Sequence, residues 1–172
     1  AALVAGCRGG GASGAQDGSF PVDLTQWVDP LIGTETSYTL SGGNTYPAAS
    51  RPWGQTSWSP QTGGYASGLF YEYGAQSING IRATHQASVW MSDYGDFSLM
   101  AVTGEPGFLP DQRATPFSHE HESSRPQSYS VALPRYGLQF GVAPTSRAAV
   151  VQIESADSDT VKLSNRIKCL LP

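Results

Sequence analysis

Leu138, Phe140 and Val142 alternate with Gln139 and Gly141, the period of two expected of a strand with one face on a core. Ser128-Tyr129-Ser130-Val131-Ala132-Leu133 alternates in the same way and stops at Pro134. Phe97-Ser98-Leu99-Met100-Ala101-Val102 runs into Thr103-Gly104, Gln55-Thr56-Ser57-Trp58-Ser59 into Pro60, and Leu69-Phe70-Tyr71-Glu72-Tyr73 into Gly74. Short apolar runs bounded by turn formers predict short antiparallel strands packed as a β-sandwich or barrel. Leu24 to Val28, with Trp27, is the one helical piece predicted, a single turn. The pattern holds over residues 22–153 and contains no internal repeat. The fold class expected is therefore all-β.

Composition supports this and removes several functions. A chain of 172 residues suits one domain with its own core. Its 20 Gly and 12 Pro favour turns over helices. The net charge of −4 leaves no basic footprint for nucleic acid, and no Lys/Arg cluster marks an anionic membrane surface. Gly9-Gly10-Gly11 does not sit between a strand and a helix, so it is not a phosphate cradle.

Cys7 and Cys169 lie at opposite ends, which fits neither a disulfide framework nor a zinc site. Val4-Ala5-Gly6-Cys7 resembles the lipobox that closes a bacterial lipoprotein signal, here residues 1–7, with the start of the signal lying upstream of Ala1. Residues 8–21 are rich in Gly and Ser and predict a disordered tether. No stretch has the eighteen or so apolar residues of a spanning helix, so a membrane would be reached only through lipid on Cys7. This places the chain in a bacterial cell envelope, periplasmic or surface-exposed, or in the secreted fraction.

Two stretches concentrate chemistry. Thr84 to Asp96 holds His85, Trp90, Tyr94, Asp93 and Asp96, and reads either as a sugar-binding loop or as a well-satisfied turn between strands. Ser118-His119-Glu120-His121-Glu122 has the look of a metal tract. It lacks an identifiable third ligand and sits between prolines, so a solvated loop is the expectation and no metal site is assigned.

Val28-Asp29-Pro30-Leu31-Ile32-Gly33-Thr34, Gly43-Asn44-Thr45-Tyr46-Pro47-Ala48-Ala49, Pro52-Trp53-Gly54-Gln55 and Trp58-Ser59-Pro60-Gln61-Thr62 follow one another in the order and spacing of a known family's opening. So do Ile81 to Gln86, Trp90 to Asp96, Phe117-Ser118-His119, Tyr136-Gly137-Leu138, Pro144-Thr145 and Arg147-Ala148-Ala149. Across roughly residues 27–153 the chain resembles glycoside hydrolase family 92, the bacterial α-mannosidases. That resemblance implies an N-terminal β-sandwich packed on a larger (α/α)6 barrel, with α-mannoside glycans as substrates. It also implies inverting hydrolysis, in which one carboxylic acid protonates the leaving oxygen and one carboxylate activates water, roughly 6.5–9.5 Å apart. In the family that pair and most ligands of an associated calcium ion lie on the barrel. No catalytic residue and no bound cofactor are therefore assigned to this chain.

The resemblance implies that the sandwich closes one side of the sugar pocket. A pyranose presents hydroxyls to carboxylates and imidazoles, and a CH face to an aromatic ring. His85, Trp90 and Asp93 offer all of these, with Asp96, Asn44 and Tyr46 as weaker candidates. Structural readings stay open beside them: backbone hydrogen bonds in a turn for Asp96, a Gly-Gly-Asn-Thr turn for Asn44, core packing for Tyr46. After Ile153 the family motifs stop, and residues 154–172 are expected to be a divergent or out-of-pattern tail. Three functions follow: the N-terminal part of an exo-acting α-mannosidase, a stand-alone carbohydrate-binding sandwich, or an inactive fragment of a broken gene.

Overall fold

The computed structural model describes residues 23–35, 45–63, 71–84, 97–105, 107, 109–155 and 161–167. Among these it forms strands β1 (Ala49–Ser50), β2 (Ser57–Gln61), β3 (Ser77–Ile78), β4 (Gly80–Thr84), β5 (Phe97–Thr103), β6 (Thr115–Pro116), β7 (Glu122–Arg125), β8 (Ser128–Leu133), β9 (Leu138–Pro144), β10 (Ala149–Ser155) and β11 (Val161–Ile167). Helix is confined to single turns at Leu24–Trp27, Pro110–Arg113, His119–His121 and Pro134–Tyr136. One sheet has the order β1-β2-β4-β5-β11, the second β10-β9-β8-β7, and β3 pairs with β6 in a small ribbon. Every pairing is antiparallel.

The two large sheets face each other. Tyr129, Val131 and Leu133 of β8 and Leu138, Phe140 and Val142 of β9 point inward, as their alternation predicts. Trp58, Ile81, Ala83 and Ala101 meet them from the first sheet. Trp58 and Phe97 stack edge to face, centroids 5.5 Å apart. The register Ser59↔Arg82↔Ser98 puts a second set on the opposite face of the first sheet. That face is also buried and is largely polar, with Ser59, Gln61, Arg82, Thr84 and Ser98 beside the apolar Met100 and Val102 of β5. Arg113, from the Pro110–Arg113 turn, lies over it and donates from Nη2 to Ser98 Oγ at 3.0 Å and from Nε to the Asn79 carbonyl at 2.7 Å.

Three sequence expectations change. β2 continues through Pro60 instead of stopping before it. Its partner β1 pairs only with Ser57 and Trp58, so the N–H that proline lacks is not missed on that side of the ladder. Tyr71 to Tyr73, expected as strand, is irregular chain whose Tyr73 N–H donates to the Thr34 carbonyl at 3.1 Å. Within residues 154–172, expected as a tail, Val161–Ile167 pairs residue for residue with β5, Val161 opposite Thr103 and Ile167 opposite Phe97. The tether 8–21 and the signal segment 1–7, with Cys7, lie outside the described residues.

Candidate functional site

Strand register defines one end of the sandwich. Ser50, the last residue of β1, is opposite Ser57, which is opposite Thr84, the last residue of β4. Phe97, the first residue of β5, is opposite Ala83. The turn 51–56 and both stems of segment 85–96 therefore share one end of the first sheet. The second sheet contributes its hairpin turns there: Ser50 N–H donates to the Pro126 carbonyl and Gln55 N–H to the Ser146 carbonyl, each at 2.8 Å. Thr25 Oγ1 accepts from Gln127 Nε2 at 3.2 Å, which brings the Leu24–Trp27 turn to the same end. Asp23 caps that turn, accepting from Thr25 N–H and Oγ1–H, and these bonds hold its carboxyl below the usual range.

The stems of the sugar-loop candidate are thus fixed by a rigid sheet, while His85, Trp90, Asp93 and Asp96 lie outside the described residues, as does Asn44. Tyr46 is described. It is half-buried and precedes the start of β1, whereas segment 85–96 leaves from the end at which β1 finishes.

A second constellation was not foreseen. The Glu122 side chain has no exposed surface and accepts from Tyr71 OH at 2.9 Å and Tyr129 OH at 2.7 Å. Its Oε2 also lies 2.6 Å from His119 Nδ1. The other ring nitrogen, Nε2, is 2.9 Å from the Tyr73 carbonyl, and the Tyr73 ring stacks on the imidazole at 3.9 Å. The expected solvated loop is thus a built-in polar core for His119 and Glu122, while Glu120 and His121 are exposed. Burial and the neighbouring carboxylate push both the Tyr71 and the Tyr129 phenols up, so they remain neutral donors. Sequence carries a partial signal for this: Glu122 opens β7 directly opposite the inward-facing Val131, which sends its side chain into the sandwich. The partners Tyr71 and Tyr73 come from distant chain and leave no local trace.

Among the described residues the Glu122 cluster is held by hydrogen bonds within the fold. No group of three or more His, Cys, Asp or Glu side chains is gathered as metal ligands among the described residues. No helix among the described residues is long and apolar enough to cross a membrane.

Residues 27–168 match the Glycosyl hydrolase family 92 N-terminal domain. The chain belongs to glycoside hydrolase family 92. The match takes in β11, beyond the Ile153 at which the quoted motifs stop. An inverting family 92 mannosidase from Bacteroides thetaiotaomicron is 38% identical, with a TM-score of 0.75 over 84% of this chain and 20% of its own. A family 92 α-mannosidase from the same organism, solved in complex with mannoimidazole, is 30% identical with a TM-score of 0.70 over 81% of this chain and 19% of its own. A further family 92 glycosyl hydrolase gives 28% identity and a TM-score of 0.66 over 82% of this chain and 20% of its own. The chain thus spans about a fifth of the length of the solved structures it matches. A comparison with curated proteins returned no match.

Proposed function

We propose that this family 92 domain is the substrate-pocket-closing sandwich of an exo-acting, inverting α-mannosidase that degrades glycans. The observation that carries the reading is the 38% identity to an inverting mannosidase across 84% of the chain. The convergence of both stems of segment 85–96 on one end of the sandwich agrees with it.

Inverting hydrolysis needs a proton delivered to the leaving oxygen and a water activated from the opposite face. Among the described residues the one fully buried carboxylate with several bonds, Glu122, is enclosed by Tyr71, Tyr129 and His119, so it cannot reach a glycosidic oxygen. The acid and base are supplied by an (α/α)6 barrel domain, together with the calcium site that family membership implies. This domain's part is to orient the sugar: a ring platform at Trp90, and hydrogen bonds to hydroxyls from Asp93 and His85. Lipid on Cys7 holds the assembly at a bacterial envelope, which membrane fractionation of the wild type and Cys7→Ser tests directly.

The decisive assay compares the chain alone with the chain joined to a family 92 barrel, against α-mannobioses of each linkage. The chain alone should release no mannose. Joined to the barrel, it should release mannose whose first-formed anomer is β, read by proton NMR. Turnover by the chain alone that disappears in Asp93→Ala would place the catalytic machinery here and overturn the assignment. Tight α-mannoside binding with no hydrolysis in the joined protein would favour a stand-alone binding module.

A further inference from the structure

Trp53 is doubly costly where it stands. Its backbone has φ of 60°, and among the described residues no other non-glycine residue has positive φ. For a bulky side chain this left-handed conformation is strained. Its indole is also fully exposed, at 101%. A residue retained under backbone strain with its apolar surface in water points to a contact made outside the folded domain.

The surrounding chain holds it there. Gly54 N–H closes the turn onto the Arg51 carbonyl at 2.8 Å, and Gln55 N–H is tied to the Ser146 carbonyl at 2.8 Å. A Cβ on Gly54 would stand 2.9 Å from the Arg51 oxygen, so the approach that closes the turn needs glycine. The turn is the β1–β2 connection, at the sheet end from which β4 leaves at Thr84 and at which β5 enters at Phe97. Arg51 and Gln55, two residues to either side of Trp53 in sequence, are exposed and carry hydrogen-bond donors. A flat indole matches the CH face of a pyranose, and donors on the same short turn suit its hydroxyls.

We propose that Trp53 is a carbohydrate-stacking platform at this end of the sandwich, with an α-mannoside ring as its occupant. The proposal rests on the mannosidase reading above and adds a residue to it. Stacking on an indole carried by a fixed turn selects for ring face and not for hydroxyl pattern, so Trp53 acts on affinity for oligosaccharide rather than on proton transfer.

The test uses the 172-residue chain. α-Mannobioses are titrated into the wild type, Trp53→Ala, Trp53→Gly, Trp53→Tyr and the control Trp27→Ala, with binding read by calorimetry and ligand-observed NMR. Trp53→Ala and Trp53→Gly should raise the dissociation constant about tenfold, Trp53→Tyr should retain most of the affinity, and Trp27→Ala should leave it unchanged. Thermal unfolding supplies the second readout. Glycine takes positive φ without strain, so Trp53→Gly should keep the unfolding midpoint within about 2 °C of wild type. Binding that survives Trp53→Ala and Trp53→Gly overturns the platform and leaves the mannosidase reading standing. Absence of any α-mannobiose binding by the wild-type chain overturns the platform, while the mannosidase reading stands or falls by the barrel-joined assay above. A Trp53→Gly variant that melts well below wild type shows that the indole packs for stability, or against a protein surface, and overturns the platform as well.

Discussion

Nδ1 of His119 lies 2.6 Å from Oε2 of Glu122, and the carboxylate it meets is sealed from solvent. The Tyr73 carbonyl can only accept, so the 2.9 Å contact to Nε2 assigns a proton to that nitrogen. The contacts at Nδ1 and Nε2 together fix the ring between Glu122 and the Tyr73 backbone. Tyr71 and Tyr129 complete the set with their hydroxyls. The group joins β7 and β8 to the irregular chain at Tyr71 to Tyr73, which is itself tied to Thr34. Glu122→Ala should leave two buried phenols without an acceptor, at about 1–3 kcal/mol for each. Glu122→Gln keeps an acceptor oxygen and should lose less. Urea denaturation measures both, and a loss under about 0.5 kcal/mol for the alanine variant would show that the network is dispensable.

The same cluster fixes an alkaline response. The folded-state pKa of Tyr71 and of Tyr129 is raised, mainly by burial and then by Glu122. A raised folded pKa contributes stability that is fully present below the unfolded phenol value of about 10 and is lost as pH rises beyond it. The melting temperature should therefore fall from about pH 10 upward. Tyr71→Phe should flatten that fall, because one of the two phenols is removed. A wild-type profile with no slope between pH 9.5 and about 11 would contradict the linkage.

How far the sequence could be read depended on whether an element's burial was written in its own residues. β5, β8 and β9 carry apolar residues at the inward positions, and Phe97–Val102, Ser128–Leu133 and Leu138–Val142 were all legible. β4 was not read although Ile81 and Ala83 alternate with Arg82 and Thr84, because its apolar side is one large and one small residue in a run of five. β7 reads Glu-Ser-Ser-Arg, and only its pairing with β8 makes it a strand. β11 alternates at every position but Asn165, yet it lies beyond the last family motif and its place is defined by a long-range register with β5. For the site, the family motifs pointed to segment 85–96, whose stems share one sheet end, whereas the His119 and Glu122 network depends on tyrosines about fifty residues away in sequence.

Gly80 tests the polar outer face. A Cβ there would overlap Ser98 Oγ and crowd Arg113 Nη2, which is 3.3 Å away. Both neighbours are fully buried and bonded to each other, so neither has room to retreat. Gly80→Ala should cost about 1–3 kcal/mol by overpacking. Adding Ser98→Gly removes the overlapped atom and should restore part of the loss, giving a coupling energy in a double-mutant cycle. Additive effects would mean that the two positions do not touch.

The sheet edges bear on behaviour in solution. Among the described residues β10 and β11 each pair on one side only, and they expose Val150 and Leu163 at 64% and 56%. Edges of seven residues with exposed apolar side chains template further strand pairing. The chain expressed alone should therefore associate with rising concentration in sedimentation velocity. Leu163→Lys should weaken that association, since a charge on an edge strand opposes pairing. A monomer at all concentrations would instead identify a self-sufficient module.

The loop between β4 and β5 provides the functional test. The strands that flank it are fixed by Thr84 opposite Ser57 and Phe97 opposite Ala83. If the proposed function holds, in the chain joined to a barrel domain Asp93→Ala removes charge-assisted hydrogen bonds to a sugar hydroxyl, and Trp90→Ala removes a ring platform. A bond of the first kind contributes about 1.5–3 kcal/mol, so catalytic efficiency should fall roughly ten- to a hundredfold in Asp93→Ala. Trp90→Ala should act mainly through KM, because stacking is made in ground state and transition state alike. Unfolding midpoints of both variants should match the wild type. Unchanged kcat/KM in both would remove segment 85–96 from the sugar site, and a lowered midpoint with unchanged kinetics would assign these residues to the turn that joins the two strands.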